Sequence, residues 1–182
     1  MEIKPINTER YILRKIEKED LNDIYKILST PEVIENLNMN IHKSEEDTLA
    51  LIEDYLADFA KGLKYPFAII EKETENFVGV FLIKIDLYDE DCFEFTIYLN
   101  KSYWGKGIYS EVIEYMVEFA FEEIKTGNFR GFVMEKNKAS SWVLLKSGFY
   151  LEKIFEVPGI EGKIESYLMP KEMYDVRKKH RS

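Results

Sequence analysis

One cysteine, two histidines and five prolines in 182 residues exclude several kinds of protein. A lone Cys92 cannot form an internal disulfide, which rules out a small stapled scaffold and fits a reducing compartment. With one cysteine and with His42 and His180 far apart, the ligands for a zinc site are too few, and no metal is expected. No apolar run approaches the roughly 18 residues of a membrane span. The first five residues lack the apolar stretch of a secretory leader. A cytoplasmic protein away from membranes is the expectation. Positive charge is also scarce: Lys and Arg total 25 against 34 Asp and Glu, a net charge of −9. That balance argues against nonspecific nucleic-acid binding and favours cationic partners. No biased linker or internal repeat interrupts the chain, so residues 1–182 read as one domain, long enough for a sizeable core.

What is present is a mixed pattern. Hydrophobic residues make up 46% and charged residues 32%, an ordinary globular composition. Apolar spacing predicts a strand over 10–16, a helix over 18–28 and a short helix over 31–37 opened by Thr30 and Pro31. Ser44 caps a further helix, with Glu45, Glu46 and Asp47 in its first turn and Gly62 at its end. Strands follow over 65–72, 77–85 and 92–99. On the last of these, Phe93, Phe95, Ile97 and Leu99 share one face, and Cys92, Glu94, Thr96 and Tyr98 the other. A long amphipathic helix over 107–125 buries Ile108, Val112, Met116 and Phe119, and sets Glu111, Glu114, Glu118 and Glu122 as an outer stripe. A strand over 129–134, a helix over 139–146 and strands over 149–157 and 162–169 complete the pattern. The basic residues 177–181 read as a frayed terminus. Trp104 and Trp142 read as packing residues, Trp142 in the core.

The most informative stretch is Tyr103-Trp104-Gly105-Lys106-Gly107-Ile108-Tyr109-Ser110-Glu111, which joins a strand to the long helix. Two glycines one residue apart allow a tight turn and close approach of a ligand to the backbone. The helix that follows offers unpaired N–H groups and partial positive charge, which suit a phosphate. Glycine before a helix is a weak signal alone. About thirty residues later come Asn137-Lys138-Ala139-Ser140-Ser141 and Lys146-Ser147-Gly148-Phe149, and the pair is far more specific.

With these motifs the chain resembles the GCN5-related N-acetyltransferases, and within them the Rim-type branch that includes ribosomal-protein N-terminal acetyltransferases. The resemblance runs from Thr8 to Met169. It includes Thr8-Glu9-Arg10-Tyr11-Ile12-Leu13-Arg14 and Pro31-Glu32-Val33. It implies a mixed α/β fold with a mostly antiparallel sheet of about seven strands flanked by helices. It also implies acetyl-CoA as cosubstrate, with its pyrophosphate on Gly105, Lys106, Gly107, Ile108, Tyr109 and Ser110. Asn137 would position the pantetheine amides or cap its helix. Ser140 would lie near the thioester sulfur, as a donor to the leaving thiolate or as a plain helix-start serine. Ile97, Tyr98 and Leu99 would end a strand that splays from the one over 129–134, pairing with pantetheine and offering an N–H to an oxyanion. Two positions depart from the family pattern. Ser102 stands where the loop often has glutamine or arginine. Leu144 stands where many members carry an acid tyrosine, as is usual in the Rim-type branch.

Glu94 is the best sequence candidate for a general base, acting through water; as an edge carboxylate it would be only solvated. Asp86, Asp89, Glu90, Asp91 and Glu94 form either a solvated loop or an acidic rim that attracts an amine. The acceptor implied is a primary amine: a protein N-terminus, a polyamine or a small amine. A homodimer is compatible with this reading. The competing class is a non-catalytic acyl-CoA-binding regulatory module.

Overall fold

The computed structural model describes residues 3–37 and 39–181. Its strands are β1 (Ile6–Asn7), β2 (Tyr11–Lys15), β3 (Lys64–Glu71), β4 (Phe77–Ile85), β5 (Cys92–Leu99), β6 (Asn128–Met134), β7 (Tyr150–Glu156) and β8 (Lys163–Pro170). They form one sheet in the order β1-β2-β3-β4-β5-β6-β8-β7. Every neighbouring pair is antiparallel except β5 and β6, which run parallel. This is the expected mixed α/β fold, with eight strands rather than about seven. The added strand, β1, is two residues long and too short to show alternation.

The helices are α1 (Leu21–Leu28), α2 (Pro31–Ile34), α3 (Glu45–Ala60), α4 (Ile108–Phe119), α5 (Lys138–Lys146) and α6 (Lys171–Arg181). Ser44 caps α3 as its sequence predicts: Ser44 Oγ accepts from Asp47 N, and Asp47 Oδ2 accepts from Ser44 N at 3.1 Å. Residues 18–20 form a 3₁₀ turn ahead of α1 rather than its first turn. The Asp20 carboxylate in that turn is held by both Arg14 terminal nitrogens at 2.8 and 2.7 Å.

Strand alternation sends side chains to two cores. Phe67, Phe81, Phe95 and Phe129 pack with Ile108, Val112, Met116 and Leu144 beneath α4 and α5. On the other face Ala68, Val80, Leu82 and Tyr98 pack with Ile24, Leu28, Ile52 and Tyr55 beneath α1 and α3. Among the described residues, none from β6, β7 or β8 joins that second core, so this half of the face carries no helix.

Three expectations change. The basic terminus is not frayed: it is the end of α6, whose Tyr174 is 6% exposed and stacks on Phe121 at 4.7 Å. Two acids of the outer stripe, Glu114 on α4 and Glu122 just after it, dock α6, because Arg177 pairs with Glu114 at 2.7 Å and Lys178 with Glu122 at 2.8 Å. The long helix also changes character, from α4 to a π-helical turn over Ala120–Ile124. Among the described residues no helix is long and apolar enough to cross a membrane. Nor does any cluster of His, Cys, Asp and Glu among them suit a metal ion.

Candidate active site

The parallel ladder between β5 and β6 runs from Cys92 opposite Asn128 to Phe95 opposite Gly131 and stops there. Each strand keeps its other partner past that point: β5 with β4 to Leu99, and β6 with β8 to Met134. The two therefore part at a fork. The Phe95 ring stacks on Phe81 at 5.3 Å and packs against Phe129 at 4.6 Å. It fits only because residue 131 is glycine: a Cβ there would come within 2.6 Å of Phe95 Cζ.

Beyond the fork lies a cavity of about 510 Å³, in the range of small-molecule sites. Ile97, Tyr98 and Leu99 line it from β5, and Asn137 and Ser140 from α5. Gly105, Lys106, Gly107, Ile108, Tyr109 and Ser110 line it from the loop and the start of α4. All the cofactor-side residues expected from sequence thus face one cavity. Glu94 is not among its lining. It lies on the closed side of the fork, opposite Arg130, in an ion pair with Lys84 Nζ at 2.8 Å.

Gly105 and Gly107 both sit at φ +74°, in the left-handed region that favours glycine. A Cβ on Gly105 would meet nothing within 4 Å, and one on Gly107 only Arg10 Nη2 at 3.7 Å, so the space before the loop is open. No side chain caps α4, which leaves its first-turn N–H groups available. The loop is tied back through Glu111. Its carboxylate accepts from Thr8 Oγ1 at 2.6 Å and from Arg10 N and Nε, each at 2.7 Å. Arg10 Nη1 then donates to the Lys106 carbonyl at 3.1 Å. Burial pushes the Glu111 carboxyl up, but these donors outweigh it and hold it below its usual range. The Lys106 ammonium lies over the Tyr103 ring at 4.4 Å.

Asn137 Oδ1 accepts from Ser140 N at 3.2 Å, so Asn137 caps α5 while facing the cavity. Beneath this turn is a carboxylate that the sequence reading missed. Glu165 on β8 is 4% exposed. It accepts from Ser141 Oγ at 2.6 Å, Tyr167 OH at 2.7 Å and Lys138 Nζ at 2.8 Å. Burial alone would raise its pKa, but the three donors lower it on balance. A charged residue at a core-facing position of an apolar strand was the available signal.

Both tryptophans depart from the packing reading. Trp104 lines the cavity and donates from Nε1 to the Leu99 carbonyl at 3.2 Å. Trp142 also lines it and is 57% exposed. Leu144 is fully buried in the core beneath α5. Ser102 closes a turn instead, its N and Oγ donating to Asn100 Oδ1 at 3.0 and 2.9 Å. The 86–94 acids are largely engaged within the fold. Asp86 pairs with Arg130 at 2.5 Å, Asp91 accepts from Gly127 N at 3.0 Å, and Asp89 accepts from Asp91 N at 3.1 Å. Burial pushes the Cys92 thiol up to about 12, so it is inert as a nucleophile.

The sequence and fold have known relatives. An uncharacterized N-acetyltransferase p20 of Bacillus licheniformis is 26% identical over 153 residues, covering 82% of this chain and 84% of its own. RimL, a ribosomal-protein alpha-N-acetyltransferase solved with coenzyme A, superposes with a TM-score of 0.79 at 17% identity, over 92% of this chain and 98% of its own. The spermidine N-acetyltransferase of Vibrio cholerae, solved with CoA and spermine, gives 0.79 at 18% identity, over 91% and 98%. The sequence model described as Acetyltransferase (GNAT) domain matches residues 10–150. An open glycine cradle, a forked parallel strand pair and that match together place the chain in the GNAT family, as an acetyltransferase with acetyl-CoA as its acetyl donor.

Proposed function

We propose that the chain transfers acetyl from acetyl-CoA to a primary amine inside the forked cavity. The observation that carries this reading is the cavity between β5 and β6, with the uncapped start of α4 at one end. In this reading the 105–110 backbone holds the pyrophosphate, and the free edge of β5 beyond Phe95 pairs with the pantetheine amides, helped by Asn137. The bound cosubstrate supplies a thioester. A β5 backbone N–H stabilises charge on its carbonyl oxygen, and Ser140 donates a hydrogen bond to the departing sulfur. Much of the rate comes from holding the two reactants together, since well-oriented groups reach effective molarities of about 10⁵ M or more.

Protein N-termini and polyamines are the acceptors named for the structural neighbours, and both classes of amine belong in the test. Calorimetric titration with acetyl-CoA, followed by a thiol-release assay with an amine panel, decides the reading. Amine-dependent release of CoA thiol is expected. The second reading, a non-catalytic acyl-CoA-binding module, is favoured by the burial of Leu144 and the exclusion of Glu94 from the cavity. Tight acetyl-CoA binding with no release above the amine-free control would select it.

A further inference from the structure

The turn between β1 and β2 reaches across the chain to the glycine loop, and the turn itself is fixed. Thr8 N donates to the Tyr11 carbonyl at 2.9 Å, and Tyr11 N donates back to Thr8 Oγ1 at 3.0 Å. Lys72, just past β3, holds both ends: its N donates to the Arg10 carbonyl at 2.9 Å and its Nζ to the Thr8 carbonyl at 2.5 Å. From this base Arg10 donates through N and Nε to the Glu111 carboxylate and through Nη1 to the Lys106 carbonyl, 96 positions away. Lys106 and Gly107 line the cavity, and Arg10 does not. Arg10 therefore bears on the cavity through the loop.

The contact does two things. The Lys106–Gly107 peptide is trans, so its C=O and N–H point in opposite directions. Holding the Lys106 carbonyl against Arg10 turns the Gly107 N–H away from Arg10, and among the described residues no hydrogen bond uses that N–H. Glycine gives this peptide plane wide freedom to rotate, which the Arg10 tie removes. The second effect is on charge. Glu111 stands in the first turn of α4 with its side chain 13% exposed. Its carboxylate alone would oppose any anion brought to the same helix start, and the Arg10 guanidinium cancels it.

Resting on the pyrophosphate placement of the proposed function, we infer that Arg10 is a positioning residue for the cosubstrate. It pins the Lys106–Gly107 peptide and neutralises Glu111, so the loop meets a diphosphate with its N–H groups preset and no opposing charge. Arg10 touches no reacting atom in this account. Its loss weakens the hold on the diphosphate and leaves the chemistry at the thioester, a pantetheine arm away, unaltered.

The test is calorimetric titration of acetyl-CoA into the full chain and three variants: Arg10→Ala, Arg10→Lys and the double variant Arg10→Ala/Glu111→Gln. A single cooperative melting transition is required of each. Arg10→Ala should weaken acetyl-CoA binding by about tenfold or more, the scale of one charge left uncompensated in a partly buried site. The double variant should bind at least about threefold tighter than Arg10→Ala, because no carboxylate remains to oppose the diphosphate. It should stay weaker than the parent, because the carbonyl is unpinned. Arg10→Lys keeps the charge without the flat fork, so its affinity should fall between those of the parent and Arg10→Ala, and it decides the matter if Arg10→Ala does not fold. With an accepted amine and saturating acetyl-CoA, kcat should stay within about threefold for every variant, while the affinity order decides the inference even where no amine turns over. Parent-like affinity in the Arg10 variants, a double variant no tighter than Arg10→Ala, or a fall in kcat as large as the fall in affinity overturns the inference and leaves acetyl transfer standing. No binding of acetyl-CoA by the parent overturns the proposed function and this inference with it.

Discussion

At Gly107 a left-handed backbone conformation falls in the lining of the cavity. The residue sits at φ +74°, and a Cβ there would meet only Arg10 Nη2 at 3.7 Å. Gly107→Val imposes about 1–2 kcal/mol of left-handed strain on the turn that the proposed function gives to the pyrophosphate. A loss of tenfold or more in acetyl-CoA affinity by calorimetry is expected, and an unchanged affinity would move the pyrophosphate elsewhere. Glu165 makes a different prediction. Its carboxyl titrates below the ordinary 4.5, so the stability it contributes is complete above that value and drains as pH falls through the lower folded value. Glu165→Gln should cost about 1–2 kcal/mol at pH 7, seen as a melting-point drop of roughly 2–8 °C that vanishes in acid. A drop that persists at low pH would mean lost packing rather than lost charge. Glu94→Gln should leave turnover within about threefold, since the group lies outside the cavity and against Lys84. A larger loss, with a shifted pH profile, would restore it as a base through water. The sequence showed the charge of both carboxylates, but not which side of a strand or fork each would meet.

At the scale of elements, α6 is the clearest case of structure that the sequence hid. Its only deeply buried apolar residue is Tyr174, so no apolar stripe marks it as a helix with a partner. Its docking rests on ion pairs to Glu114 and Glu122, and those acids look like a solvated face until the partner helix is placed. Tyr174→Ala should remove about 3 kcal/mol of packing, hence roughly 6–12 °C of melting temperature. A change under 2 °C would return this segment to the status of a loose tail. In contrast, α3 was legible because its start is local chemistry: Ser44 and Asp47 satisfy each other within one turn.

Across the whole molecule, the net charge of −9 suggests long-range attraction of cations. The fold weakens that expectation near the site. Asp86, Asp89, Asp91 and Glu94 are engaged with Arg130, backbone N–H groups and Lys84, and among the described residues no carboxylate lines the cavity. The specificity constant for a good acceptor should therefore change by less than about threefold between 0.1 and 1 M salt, although the screening length falls from about 10 to 3 Å. A steep decline would show that an acidic rim steers the amine after all.

The sequence by itself determined the order of the strands from β2 to β8 and of the helices from α1 to α5, and the glycine turn that leads into α4. Those features depend on short-range rules: alternation, helix caps, and glycines at the turn before α4. Only the tertiary structure decided what depends on partners far away in the chain. It set Glu94 against Lys84, Trp142 at the cavity, Glu165 beneath α5, and Glu114 and Glu122 under α6. A charge at one position reads the same in sequence whether solvent, an ion pair or a substrate faces it. The difference arises when strands more than thirty residues apart are brought side by side, as β5 and β6 are at the fork.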